Sequence, residues 1–135
     1  MNIIVCLDEK NGMMFNNRRQ SRDKVVLSEI LKISDGSTLW MGNYSIPLFA
    51  DSKGHTIKTD ESFLSQATDG EYCFVENVDI TPYQNKIEKI YIFKWNRHYP
   101  SDFWFNLDYG KWNLLEVKEF PGSSHEKITL EVYKP

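Results

Sequence analysis

The chain has 135 residues, of which 41% are hydrophobic and 14% aromatic, and it carries a formal net charge of −3 at pH 7. A chain of this length and apolar content buries one core, so we expect a single domain over residues 1–135. The small negative charge gives no overall attraction for nucleic acid or for an anionic membrane, which excludes partners recognised by bulk charge alone.

The first apolar run, Ile3 to Leu7, is continuous and ends at a turn-rich segment, residues 8–12. It is too short to span a bilayer and has no basic leader, so it predicts a central strand of a cytoplasmic protein without a membrane segment. Cys6 lies in this run and Cys73 lies in another apolar run, which favours two buried, reduced thiols over a disulfide or a metal site.

The next elements are a helix and a second strand. Residues 23–33 place Val26, Leu27, Ile30 and Leu31 near one face of a helix, and Asp23 stands at its start, where a carboxylate is favoured. Residues 37–41 predict a short strand. Residues 44–50 predict only a helical turn, because Pro47 cannot lie in a helix interior.

Strand and helix signals continue to alternate towards the carboxyl end. The predicted elements are an edge strand at 55–57, a short helix at 60–67 capped by Thr59 or Asp60, a strand at 72–75, a helix at 81–86 beginning with Pro82, and a strand at 89–95. The runs 112–120 and 127–133 flank a turn at 121–124 and predict a hairpin. This order predicts an α/β fold with a mostly parallel central sheet and an antiparallel C-terminal hairpin.

Four strings in this order resemble the dihydrofolate reductase family: IIVCLDEKNGMMFNN (3–17), STLWMGNYS (37–45), GEYCFVENVDITPYQNKIEKIYIF (70–93) and FWFNLDYGKWNLLEVKEF (103–120). The resemblance omits only about residues 46–69 and implies that family's three-layer fold, with a loop over the active site after the first strand. The chain also looks like short bacterial proteins labelled ribonuclease Z. The H-x-H-x-D-H cluster implied by that label is absent, and we expect no metal site.

The resemblance implies a nicotinamide cofactor held by its phosphates, but the phosphate-binding positions are altered. Consecutive glycines in the family correspond here to Glu76-Asn77, and a carboxylate there should repel the cofactor. Gly42 and Ser45 match the family's second anchor, whereas Asn43 replaces its basic residue. We therefore expect no cofactor.

Most of the substrate-binding residues that the resemblance implies are also missing. The family's pterin-binding carboxylate aligns near Val26, and Asp23 lies about one turn earlier. Phe93 replaces a supporting threonine, and residues 18–20 replace the family's Pro-Trp pair. No arginine occurs from 43 to 71, where the family has the arginine that binds the glutamate part of folate. Reduction of dihydrofolate is not expected.

Three other patterns bear on binding or catalysis. The turn Gly122-Ser123-Ser124-His125 indicates turn chemistry rather than a nucleophile and base, because the G-x-S-x-G elbow is missing. The basic residues within 18–24 predict either a solvated loop or a site for an anionic ligand. The aromatic run 95–105 predicts core or a homodimer interface; base stacking on nucleic acid is disfavoured because few cations accompany it.

These patterns leave three functions open and do not decide whether the protein is an enzyme. The leading hypothesis is a repurposed protein that binds a small anionic or aromatic ligand in the cleft that corresponds to the family's active site. Its candidate residues are Arg18, Arg19, Arg22, Asp23 and Tyr44. The first alternative is a divergent NADPH-dependent reductase that uses Gly42 and Ser45 for the cofactor and Asp23 for catalysis. The second is a homodimeric interaction scaffold that uses residues 95–105 and binds no ligand.

Overall fold

The computed structural model describes residues 1–135, which form ten strands and two short α-helices. The strands are β1 (Asn2–Leu7), β2 (Gly12–Phe15), β3 (Arg18–Arg19), β4 (Thr38–Met41), β5 (Thr56–Thr59), β6 (Tyr72–Phe74), β7 (Lys89–Lys94), β8 (Phe103–Trp104), β9 (Asn113–Phe120) and β10 (Ile128–Lys134). The helices are α1 (Lys24–Ile33) and α2 (Phe63–Gln66), and 3-10 turns cover Asn43–Phe49, Thr81–Lys86 and Tyr109–Lys111.

Seven strands form the main sheet, in the order β5-β4-β6-β1-β7-β10-β9. β1 lies at its centre and runs parallel to both neighbours, so that Ile3 faces Cys73 on one side and Ile90 on the other. β10 is antiparallel to β7 and to β9. The predicted mostly parallel sheet with an antiparallel C-terminal hairpin is therefore confirmed.

Both faces of the main sheet are buried at its centre, which explains the uninterrupted apolar sequence of β1. Ile3, Val5 and Leu7 enter one hydrophobic cluster, and Ile4 enters a second cluster on the opposite face. Val26 of α1 belongs to the second cluster, as its helical spacing predicted. This packing fixes the start of α1 beside the carboxyl end of β1.

A second, three-stranded sheet has the order β3-β2-β8. The sequence predicted a loop here, and that prediction is wrong for residues 12–15 and 18–19. Asn16 and Asn17 have φ angles of 52° and 60°, and two consecutive residues of this kind close a tight hairpin between β2 and β3. The hairpin directs the chain from β3 back across the end of β1.

Several local predictions need correction. α2 begins at Phe63 after Ser62, so neither Thr59 nor Asp60 is its N-cap. Cys73 is buried, and burial raises the pKa of its thiol to about 12, but Cys6 is only half-buried. In the aromatic run, Trp95 and Phe105 are buried. None of the helices has both the length and the apolar character needed to cross a bilayer.

Candidate functional site

A narrow cleft lies at the carboxyl ends of β1 and β6, the edge at which α/β sheets commonly bind ligands. Its lining comes from β1, β2, α1, the 3-10 turn Asn43–Phe49, the carboxyl ends of β6 and β7 and the segment from β3 to α1. The lining residues are Cys6, Met13, Arg19, Gln20, Ser21, Arg22, Asp23, Val26, Leu27, Leu48, Phe74, Val75, Glu76 and Trp95. The cavity inside it measures about 20 Å³. That volume suffices for about one water molecule, so residues 19–23 cover the cleft closely.

One wall of the cleft is an ion pair between Arg19 and Glu76. Arg19 Nε lies 2.8 Å from Glu76 Oε2, and its terminal nitrogen donates to Oε1 at 3.1 Å, so the contact is bidentate. Ser45 Oγ donates to Glu76 Oε1 at 2.7 Å. The side chain of Glu76 is 9% exposed and that of Arg19 23%. Burial alone would lower the pKa of Arg19, but the neighbouring Glu76 carboxylate raises it.

Tyr44 holds the same arginine from a second side. Its hydroxyl accepts from the backbone N–H of Arg19 at 2.9 Å, and its carbonyl accepts from the guanidinium at 3.3 Å. The guanidinium also lies 4.5 Å from the centre of the Tyr44 ring, which is a cation–π distance. Arg19, Tyr44, Ser45 and Glu76 thus form one network, named here the Arg19 network, in which each polar group has a partner within the protein.

The opposite wall is built around Asp23. Its Oδ1 caps α1 by accepting from the backbone N–H groups of Val25 and Val26, at 2.9 and 3.3 Å. Ser123 and Ser124 in the turn between β9 and β10 donate their backbone N–H groups to the two carboxylate oxygens at 3.0 and 2.8 Å. One carboxylate therefore ties the start of α1 to the C-terminal hairpin.

His125 completes this wall. Its Nδ1 lies 2.9 Å from Asp23 Oδ2, and both side chains are completely buried. Its Nε2 lies 3.0 Å from Ser21 Oγ and 3.3 Å from the Tyr99 hydroxyl. Trp95 stacks on the imidazole with ring centres 4.6 Å apart and planes tilted by 21°. Ser21, His125 and Asp23 are therefore joined in series, and they are named here the Ser21 relay.

Two features explain the charge state and the close packing of Asp23. Burial alone would raise the pKa of Asp23, but the hydrogen bonds from His125 and from the backbone N–H groups of Ser123, Ser124 and Val26 hold it well below its usual range. Gly122 lets the hairpin approach, because a Cβ at that position would overlap the Asp23 carboxylate. The carboxylate is an acceptor only, so His125 Nδ1 carries the hydrogen between them.

The Ser21 relay corrects the interpretation of residues 122–125 as a turn alone. The turn is present, with the N–H of Gly122 donating to the His125 carbonyl at 2.9 Å, but the imidazole also reaches Asp23. Asp23 and His125 are 102 positions apart, and only the packing of the hairpin against α1 brings them together. The one local sign of this contact in the sequence is the Gly-Ser-Ser-His string, which has two backbone donors beside an imidazole.

A third set of contacts holds the covering segment over the end of β1. Gln20 Nε2 donates to Asp8 Oδ2 at 3.2 Å and also reaches Ser101 Oγ. Burial would raise the pKa of Asp8, but backbone N–H groups of Gly12, Lys10 and Tyr99 lower it. Gln20 Oε1 is buried and has no hydrogen-bond partner. The segment is thus held mainly by polar contacts.

The remaining candidate residues separate into three positions. Arg18 is exposed and does not line the cleft, whereas Arg22 is exposed, lines it and forms no ion pair. Gly42 precedes the 3-10 turn that contains Ser45, and the following N–H, of Asn43, donates to Glu61 Oε1 at 2.9 Å. Both segments that resemble phosphate anchors therefore meet a carboxylate of this chain.

No group of three His, Cys, Asp or Glu side chains is placed to hold a metal ion.

Comparison with known proteins gives a result at the level of structure alone. No protein-family model matches the sequence, and no curated protein matches it. Among solved structures, the dihydrofolate reductase from Enterococcus faecalis complexed with NADP(H) and RAB-propyl matches with a TM-score of 0.69. The match covers 98% of this chain and 94% of that chain. The chain has a dihydrofolate-reductase-like fold.

The predicted three-layer dihydrofolate-reductase-like architecture is therefore confirmed, whereas membership of the family by sequence is not. Sequence identity with the enterococcal structure is 12%, and a shared fold does not carry an activity with it. The resemblance to proteins labelled ribonuclease Z stays untested. The polar side chains available for a function at the cleft are those of the Arg19 network, the Ser21 relay and Arg22.

Proposed function

We propose that this protein is a cytoplasmic small-ligand-binding protein, repurposed on a dihydrofolate-reductase-like fold, that does not use a nicotinamide cofactor. The ligand is a small anionic or aromatic molecule held in the cleft beside Arg22. The observation that carries the proposal is the bidentate pair between Arg19 and Glu76, because it occupies the wall that a cofactor phosphate would need.

The cost of displacing that pair argues against the cofactor. A phosphate beside residues 76–77 would lie against the Glu76 carboxylate, whose charge repels it and whose oxygens already serve Arg19 and Ser45. Separating a mostly buried, hydrogen-bonded ion pair costs on the order of 3 kcal/mol. The alternative of a divergent NADPH-dependent reductase also requires Gly42 and Ser45 to be free, and Ser45 Oγ is bound to Glu76.

Arg22 supplies the positive charge for a ligand. Arg19 is neutralised by Glu76, while Arg22 lines the cleft without a carboxylate partner. Leu27, Leu48 and Trp95 give the adjoining wall its apolar character. An exposed guanidinium beside an apolar wall suits a carboxylate or phosphate attached to a small ring. Because the cavity is small, a ligand of that size enters only when the covering segment moves outward.

The test is thermal unfolding with two probes, since a ligand that binds only the native state raises its apparent stability. We expect about 10 mM benzoate, which is both anionic and aromatic, to raise the unfolding temperature, and about 1 mM NADPH to leave it unchanged. The benzoate effect should disappear in Arg22→Ala and persist in Arg97→Ala, an exposed arginine outside the cleft. A rise with NADPH, or no benzoate effect in the unmodified protein, would overturn the proposal.

A second candidate function is a homodimeric scaffold, and exposed aromatic side chains favour it. Trp104, in the predicted interface run 95–105, is 46% exposed, and Phe15 in the same small sheet is 48% exposed. Large apolar side chains at a surface are typical of contact sites. Sedimentation equilibrium decides between the two: a dimer dissociated by Trp104→Ser in the absence of any benzoate effect would favour the scaffold.

A further inference from the structure

The Ser21 relay has the order of groups found in nucleophilic hydrolases. We propose that Ser21 is a nucleophile, His125 its general base and Asp23 the positioning carboxylate of a site that cleaves small acyl esters in this cleft. The inference deepens the proposed function, because it rests on the same cleft receiving a small anionic or aromatic molecule.

The connectivity of the three residues meets the chemical requirement. A serine hydroxyl attacks only when a base within hydrogen-bond reach takes its proton, and Ser21 Oγ lies 3.0 Å from His125 Nε2. Nε2 must be unprotonated to act as the base, and the Asp23 carboxylate, which lies 2.9 Å from Nδ1, fixes the hydrogen of the imidazole on Nδ1. The flat stacking of Trp95 holds the plane of the imidazole.

Exposure in the relay increases in the direction that catalysis requires. Asp23 and His125 are buried, while Ser21 is half-buried and lines the cleft. A purely structural role is already fulfilled without Ser21: Asp23 caps α1 and binds the turn through five hydrogen bonds. The hydroxyl of Ser21 is not needed for those five hydrogen bonds, and it places a nucleophile at the cavity.

Unpaired backbone donors lie next to the nucleophile. The N–H groups of Ser21 and Arg22 form no backbone hydrogen bond, although the segment is held on both sides. In serine hydrolases, the N–H of the residue after the nucleophile commonly binds the oxyanion. The Arg22 side chain, which lines the same cleft, adds a positive charge.

The size and chemistry of the cleft define the substrate class. A cavity of about 20 Å³ beside Ser21 leaves no room for a long acyl chain, so the substrates are esters of short acids such as acetate, which enter when residues 19–23 move outward. The anionic or aromatic part of the ester lies outward, towards Arg22. The Tyr99 hydroxyl, 3.3 Å from His125 Nε2, shares this nitrogen with Ser21.

The reaction needs no reactant besides ester and water. Ser21 Oγ bonds to the acyl carbon as its proton passes to His125 Nε2, the bond from carbon to the leaving alkoxide breaks, and His125 returns the proton to that alkoxide. Water then attacks the acyl-serine with His125 again as base. The carboxylic acid is released, and Ser21 recovers its proton.

The test uses p-nitrophenyl acetate hydrolysis and labelling with a fluorophosphonate, followed by mass spectrometry of the labelled peptide. We expect Ser21 to carry the label and hydrolysis to fall at least about 100-fold in Ser21→Ala and in His125→Gln. Ser28→Ala, an exposed serine on α1, is the matched control and should keep the rate. In Asp23→Asn kcat should fall with little change in KM, because the carboxylate that keeps the hydrogen of His125 on Nδ1 is gone.

The outcomes separate this inference from the proposed function. Failure of the folded protein to label at Ser21, or hydrolysis that is equal in Ser21→Ala and the unmodified protein, would overturn the inference. If benzoate still raises the unfolding temperature in that case, the binding function stands alone. If Ser21 is labelled but benzoate has no effect, the nucleophile stands and the proposed ligand class is wrong. Circular dichroism of each variant identifies those that fail to fold.

Discussion

The two walls of the cleft are each built around a carboxylate, that of Glu76 in one and that of Asp23 in the other, and they differ in which groups they leave free to react. In the Arg19 network, the carboxylate, guanidinium and hydroxyl groups satisfy one another. In the Ser21 relay, Asp23 is equally satisfied, but the chain of contacts continues to a half-buried hydroxyl at the cavity. The Arg19 network leaves no polar group free to bind or react, whereas the Ser21 relay ends in a hydroxyl that can react with a molecule in the cavity.

The walls also differ in how much of the fold depends on them. Glu76 links the end of β6 to the covering segment through Arg19 and to the 3-10 turn Asn43–Phe49 through Ser45. Asp23 joins α1 to the hairpin of β9 and β10 and has no exposed side-chain surface. Loss of Asp23 should therefore affect the whole domain, and loss of Glu76 should affect the cover of the cleft.

The largest effect is expected for Asp23→Ala. The change removes the N-cap of α1, leaves the N–H groups of Ser123 and Ser124 without their acceptor and leaves a buried imidazole unpaired. We expect a loss of about 3–5 kcal/mol in the free energy of unfolding, measured by urea titration. A loss below about 1 kcal/mol would mean that the wall is not buried in solution as described.

Gly122→Ala should give the next largest effect, again on the Asp23 wall. A Cβ there would overlap the Asp23 carboxylate, so the hairpin must move and its hydrogen bonds to Asp23 must lengthen. We expect a loss of about 2 kcal/mol in the free energy of unfolding. Gly42→Ala is the matched control, because a Cβ at Gly42 would meet only ordinary contacts at 3.7 Å. Equal effects at the two glycines would contradict the close approach.

A double-mutant cycle on Arg19 and Glu76 measures the other wall. Glu76→Ala leaves Arg19 partly buried without its partner, and we expect a loss of about 2 kcal/mol, with a similar loss for Arg19→Ala. The double variant should lose less than the sum, with a coupling energy of about 1–2 kcal/mol. Additive losses in urea titration would show that the pair contributes little to the cover of the cleft.

The sequence predicted the parts of the fold that local patterns determine. The apolar run of β1 and the alternation of apolar and polar residues in β10 determine much of the main sheet, since burial on both faces or on one face has a distinct period. β3 and β8 have two residues each, too few to show any period. Their pairing depends on the Asn16-Asn17 turn and on contacts across the chain, so the small sheet was missed.

The site was predictable only as far as its residues act locally. Asp23 was placed correctly at the start of α1 because an N-terminal carboxylate is a local signal. Its partner His125 and the partner of Glu76, Arg19, lie 102 and 57 positions away. Which distant residue reaches a buried carboxylate depends on strand order and hairpin position, and neither is encoded in a short pattern.

The acid dependence of stability tests the charge of Asp23 separately from its packing. The pKa of Asp23 is lowered in the folded state, so its contribution is complete above the unfolded value of about 4 and is lost as the pH falls below it. In that range we expect Asp23 to contribute a slope of up to about 1.4 kcal/mol per pH unit, which Asp23→Asn should lack. The lowered pKa of Asp8 acts in both proteins and cancels in the comparison. Parallel stability curves from pH 6 to about pH 2.5 would contradict an ionised, hydrogen-bonded Asp23.

The smallest effect on stability is expected at Arg22, which belongs to neither wall. Its side chain is exposed, lines the cleft and forms no ion pair, so Arg22→Ala should change the free energy of unfolding by no more than about 0.5 kcal/mol. The same variant should lose most of the thermal shift given by benzoate, because the one uncompensated cation at the cleft is gone. A large loss of stability would place Arg22 in the structural contacts of the covering segment. An unchanged benzoate shift would instead favour the exposed Arg18, outside both the lining and the covering segment, as the cation that binds benzoate.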